Sequence, residues 1–152
     1  MSVFKSLAGI VLLALSSLTM AGVDTETDAN DVILAGYDAV AYFTESKAVE
    51  GSADYTAVYN GAIYRFSSAD NRDAFRAEPA RYAPQYGGFC AYGMTFGKKF
   101  EVDGKAFEIV DGKLYVNKNQ SVYKAWAEDV PKHIAEAEAE WPAVEHKAAA
   151  QL

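Results

Sequence analysis

The sequence predicts a small single domain of the α+β class, with antiparallel β-hairpins packed against short helices, and three observations lead to it. Two β-rich runs, Tyr55–Tyr59 and Ala62–Phe66, flank Asn60-Gly61, a pair that tolerates the positive φ angles of a tight hairpin turn. Toward the C-terminus the apolar spacing changes, with Val122, Trp126 and Val130 recurring at helical intervals. Strands and helices do not alternate in βαβ order, so antiparallel pairing is expected rather than a parallel sheet. At 51% apolar and 13% aromatic residues the 152-residue chain has the material for a folded core. Its one cysteine excludes an internal disulfide, so packing must hold the domain together.

In chain order, residues 1–21 combine Lys5, an apolar run from about Leu7 to Leu18 and the small residues before Gly22, the pattern of a signal peptide cleaved after Ala21. The run is shorter than the roughly 20 residues a spanning helix needs. Export to the periplasm or medium is expected, without membrane attachment after cleavage. Residues 22–31 are small and acidic and read as a flexible, solvated leader. The domain proper is expected over 32–142. Val40–Phe43 looks like a short strand, and Ser67 or Ser68 can cap a helix running to about Ala77, with Phe75 on its inner face. Pro79 ends that helix, and the Gly87-Gly88 pair calls for an unusual backbone ahead of Cys90. Val102–Phe107 and Val110–Tyr115 each carry an Asp-Gly turn signal and suggest a hairpin pair or meander. Asn119 is a cap for a helix through Val122 and Trp126; a second helix starts at Pro131 and stops at Pro142, and 143–152 reads as a disordered tail.

The formal charge is −7, and loss of Lys5 with the signal peptide makes it −8. Such a body repels nucleic acid and anionic membranes over a Debye length of about 8 Å, so cations and basic partners are the better expectation. Paired acids at helical spacing, such as Asp70 with Asp73 or Glu136 with Glu140, fit a solvated face. His133 and His146 have no cysteine or histidine at ligand spacing and read as surface residues.

Cys90 lies in Tyr86-Gly87-Gly88-Phe89-Cys90-Ala91-Tyr92-Gly93-Met94 and is the only side chain capable of thiolate chemistry. Three roles stay open for it: a packed apolar residue, a metal ligand, or a reactive thiol that meets a partner. Met94 can share a face with Cys90 in a helix or a strand, which makes Cys90 and Met94 a candidate pair for copper(I). Ten tyrosines, eight of them between residues 37 and 92, suggest core aromatics. They also suggest an aromatic pocket at the glycine-rich turn, in which Tyr86, Gly87, Gly88 and Tyr92 would contact a small ligand.

The hairpin and the following helix spell Tyr59-x-Gly61-x-x-Tyr64-x-Phe66-x-Ser68-x-x-Asn71-Arg72-x-x-Phe75-x-x-x-Pro79-x-x-Tyr82. With Gly36-Tyr37-Asp38-Ala39-Val40-Ala41-Tyr42-Phe43 upstream and the Cys90 stretch downstream, this resembles the YHS domain family, in its exported bacterial branch, over about 36–120. The resemblance implies a metal-associated module, copper being the ion expected. In the metal-binding version the thiols would fall on Ala41, Ser67 and Asn71, where this chain has none. The leading expectation is therefore an exported, non-enzymatic YHS-type protein with a metal ion as the family-implied ligand. The alternatives are a thiol-dependent redox protein or enzyme using Cys90, and a small-ligand or protein-interaction module with an aromatic pocket.

Overall fold

The hairpin turn sets the first half of the molecule. In the computed structural model, which describes residues 22–152, Asn60 and Gly61 adopt φ of 49° and 78°, and β1 (Ser52–Tyr59) folds back on β2 (Ala62–Phe66) with Tyr59 opposite Ala62. The expected signal peptide, 1–21, lies outside the described residues. Along β2, buried Ala62, Tyr64 and Phe66 alternate with the half-buried Ile63 and Arg65, as the twofold period of a strand requires. That face receives helix α2 (Ala69–Ala77), the next after the short α1 (Ala41–Thr44), and its first turn is capped by Ser68 Oγ accepting from the Asn71 N–H at 3.1 Å. Phe75 packs with its ring centroid 4.4 Å from Tyr64 and 5.1 Å from Phe66. Pro79 opens a further turn, α3 (Pro79–Tyr82).

The second half is built on α4 (Ala91–Met94), a hairpin of β3 (Phe107–Val110) and β4 (Lys113–Val116), and helices α5 (Gln120–Ala127) and α6 (Val130–Val144). Asn119 caps α5 as expected, its Oδ1 accepting from the Val122 N–H at 2.9 Å. Two cores result. The first gathers Ile33, Leu34, Tyr42, Phe66, Phe75 and Leu114; the second gathers Met94, Tyr115, Trp126 and Ala137. Trp126 has no exposed surface, and burial of so large an apolar side chain stabilises the fold by roughly 2–3 kcal/mol. The α+β expectation holds, with two antiparallel hairpins and short helices around them.

Several local expectations fail for identifiable reasons. Val40–Phe43 is not a strand: it forms α1 (Ala41–Thr44), because Asp38 Oδ1 accepts the N–H groups of Val40 at 2.9 Å and Ala41 at 3.2 Å and so nucleates a turn. Only one hairpin forms in 102–116, around Asp111-Gly112; Asp103-Gly104 makes a loop turn in which Asp103 Oδ1 takes the Lys105 and Ala106 N–H groups. Pro142 sits inside the last turn of α6, which continues to Val144.

Residues 22–31 are not a free leader and 143–152 not a loose tail. Asp24 and Thr25 are buried, the Glu26 N–H donates to the Gly87 carbonyl at 2.8 Å, and Leu152 packs on the second core. Lys99 joins the two segments: its Nζ donates to the carbonyls of Val23, Glu145 (2.7 Å) and Lys147 (2.8 Å). A buried ammonium must find such acceptors, and both segments are drawn in to supply them. Among the described residues no helix is long and apolar enough to cross a membrane.

Candidate functional site

Two polar side chains without exposed surface, Asp38 and Asn117, organise the surroundings of the candidate residues. Asp38 faces the first core. Besides the two α1 amides, its Oδ2 accepts from the Ser67 N–H, the Ser67 hydroxyl and the Asn71 amide, each at 2.8 Å. Two oxygens thus serve five donors and bind α1, the end of β2 and the start of α2 into one knot.

Asn117 stands beside Cys90. Its Oδ1 accepts from the Tyr92 N–H at 3.0 Å and from the Cys90 thiol, with Sγ at 3.6 Å, while its Nδ2 is buried without a partner. Cys90 is the N-terminal cap of α4, its Sγ accepting from the Gly93 N–H at 3.4 Å. With 1% of its surface exposed, Cys90 is a buried thiol, and burial pushes its pKa up. The N–H groups of Gly93, Lys118 and Tyr92 and the Lys118 charge act in the opposite sense but do not overcome it. The thiol, not the thiolate, is the resting form.

One helical turn joins Cys90 and Met94, the Met94 N–H donating to the Cys90 carbonyl at 3.0 Å, but Cys90 packs in the first core and Met94 in the second. Tyr86 is buried against Tyr115 and Trp141, whereas Tyr92, which packs against both cores, stands edge-on to Phe96, with centroids 5.4 Å apart, and to His133 at 5.2 Å. Gly87, at φ 60°, is required by the approach of the N-terminal segment, since a Cβ there would lie 2.0 Å from the Asp24 carbonyl oxygen.

What Cys90 does share is a cavity. A space of about 270 Å³ is lined by Cys90, Tyr92, Gly93, Phe96, Phe100, Lys118 and Val122. Phe96 and Phe100 are exposed at its edge, 63% and 41% respectively, although both are large apolar residues that a domain normally buries. Lys118 supplies the one charge, its Nζ 5.2 Å from the Phe100 centroid and 3.4 Å from Glu101. A second cavity, of about 230 Å³, opens on the other side of the glycine-rich turn and includes Tyr86 and Gly87. His146 is the surface residue expected, 65% exposed with its Nδ1 2.9 Å from Asp24 Oδ1, whereas His133 is half-buried with its Nδ1 2.7 Å from the Trp126 carbonyl.

The family model that matches the sequence is the YHS domain, over residues 40–86. The chain carries a YHS domain. No curated protein and no solved structure matches it. The matched stretch contains the Asp38-bound ends of α1, β2 and α2 and stops at Tyr86, so the Cys90 cavity lies outside it.

A metal ion does not fit the positions at which the resemblance places the YHS thiols. Ala41 offers no donor atom, and the Ser67 hydroxyl and Asn71 amide both spend a hydrogen on Asp38 Oδ2. These positions do converge, but on a carboxylate that only accepts hydrogen bonds. Among the described residues no group of three or more His, Cys, Asp or Glu side chains is placed to hold a metal ion. Sequence reasoning found Cys90 because it is unique; it missed Asp38 and Asn117, as well as Phe96, Phe100, Lys118 and Val122. Asp38 had a signal, an acidic residue two positions ahead of an apolar helical turn.

Proposed function

We propose that this protein is an exported, non-enzymatic binding protein in which the YHS domain is scaffold and the Gly87–Gly97 segment presents the ligand site. The observation that carries the reading is the cavity at Cys90, apolar in its walls and edged by the exposed rings of Phe96 and Phe100. Its chemistry suits a small, flat apolar molecule: aromatic edges and a polarizable sulfur contribute contact, and Lys118 adds one positive charge at the side.

The metal-associated character of the YHS family favours an ion, but the thiol here stands apart from Met94 and is held neutral by burial. The same features argue against a nucleophilic or redox-active Cys90. The test uses indole as the probe, followed by equilibrium titration with fluorescence or calorimetric detection. Saturable binding that weakens about tenfold in Phe96→Ala and in Phe100→Ala supports the reading. Binding unchanged in both variants, or stoichiometric retention of copper(I) by the wild type that Cys90→Ser abolishes, overturns it in favour of another site or of a metal.

A further inference from the structure

The cavity on the far side of the glycine-rich turn has a different chemistry from that at Cys90. It measures about 230 Å³, and four aromatic residues, Tyr59, Tyr64, Tyr86 and Trp141, line it together with the carboxylate residues Asp24 and Glu145. Thr25 also lines it; the residue is 5% exposed and its Oγ1 is buried with no hydrogen-bond partner. We infer that this cavity is a binding site for a small organic cation, an alkylammonium compound.

Charge, aromatic content and size each favour that class. The charged groups at the cavity are Asp24 and Glu145, with the Lys99 ammonium and the His146 imidazole against them. Carboxylates on the lining favour a cation over an anion or a neutral molecule. Aromatic faces attract such a cation through their quadrupole, and an aromatic cage selects an alkylated ammonium over a hydrated metal ion.

The protein already uses this chemistry on itself. Lys99 Nζ lies 4.8 Å from the Phe89 centroid and 5.3 Å from the Trp141 centroid, with its protons on main-chain carbonyls. The volume is below the roughly 300–1,000 Å³ of sites for drug-sized molecules, which limits the ligand to a few heavy atoms. The −7 charge of the chain concentrates cations near its surface.

The wall of this site depends on the N-terminal segment. Asp24 and Thr25 come from residues that reach the cavity only because Gly87 lets the Asp24 carbonyl approach and Lys99 holds the Val23 carbonyl. The inference is independent of the reading given to the Cys90 cavity, since the two cavities share no lining residue.

The experiment compares choline with 3,3-dimethyl-1-butanol, in which carbon replaces the charged nitrogen, by calorimetric titration of the folded protein above pH 8. Choline should bind saturably and the neutral isostere about tenfold more weakly or not at all. Glu145→Gln, which keeps the main-chain carbonyl that Lys99 uses, and Tyr59→Leu, on the half-exposed hairpin end, should each weaken choline about threefold or more. Equal affinity for choline and its isostere overturns the inference, as does the absence of saturable choline binding up to about 10 mM. Choline binding that neither variant changes places the cation elsewhere and overturns it as well.

Discussion

Asp38 and Asn117 are both without exposed surface, yet Asp38 receives five hydrogen bonds on two oxygens, whereas Asn117 accepts two and leaves Nδ2 unpaired. The difference follows their places in the molecule. Asp38 ties together elements of the YHS domain and lines neither of the two cavities described; Asn117 holds Cys90 and Tyr92, which border one. Complete satisfaction marks a structural knot, and an incomplete one beside a cavity marks the region with chemistry to spare. The positions that the resemblance assigns to metal ligands have become part of the knot, while the proposed binding surface lies past residue 86.

The largest effect that can break this comparison is Asp38→Ala. It removes the acceptor for five donors, two of them buried and three partly buried, and we expect a loss of about 3–5 kcal/mol in urea denaturation, or failure to fold. Asn117→Ala should cost only about 1–2 kcal/mol, because one of its polar atoms is already unpaired. An Asn117 variant that is the more destabilised of the two contradicts the contrast.

Gly87→Ala comes next. The alanine must hold a φ of 60° and place its Cβ against the Asp24 carbonyl, so about 1–3 kcal/mol should be lost. Limited proteolysis should then cut near residues 22–27 before the rest of the chain. Intact protection of that segment would show that Gly87 does not hold it.

A smaller effect is a pH dependence of the same segment. Burial, with Glu101 and Asp28 near by, raises the Glu26 carboxyl from 4.5 to about 7. A group raised on folding contributes stability that is present below its unfolded value and lost as pH rises through the folded one. Stability should therefore fall between pH 4.5 and about 7, by about 1–2 kcal/mol once partial exposure is discounted, and Glu26→Gln should flatten that slope. His146, raised by its hydrogen bond to Asp24, acts in the same direction over a window beginning at its ordinary value of 6.5. Thermal melts across this range check both, and a rising profile contradicts them.

Local signals in the sequence were enough for the parts of the fold decided locally. Asn60-Gly61 set the first hairpin, and Ser68 and Asn119 set two helix starts, because a turn or cap depends on a few neighbouring residues. The turn at Val40 was misread because its nucleus, the Asp38 carboxylate, is fixed by Ser67 and Asn71 about thirty positions away. The burial of residues 22–31 was missed for the same reason, since the ammonium that draws them in belongs to Lys99. Of the candidate site, Cys90 and Tyr92 could be found by composition. Phe96, Phe100 and Lys118 could not, because loop residues carry no period, and the helical period that marks Val122 does not show that it meets Cys90 across the fold.

The central claim is that ligand binding belongs to the 87–97 segment and not to the positions tied to Asp38. Residue-resolved amide NMR of the protein titrated with indole tests it most directly. The account predicts saturable shifts at Tyr92, Gly93, Phe96, Phe100 and Lys118, with Ala41, Ser67 and Asn71 unmoved. Shifts centred on Ala41, Ser67 and Asn71, or none that saturate, would contradict it.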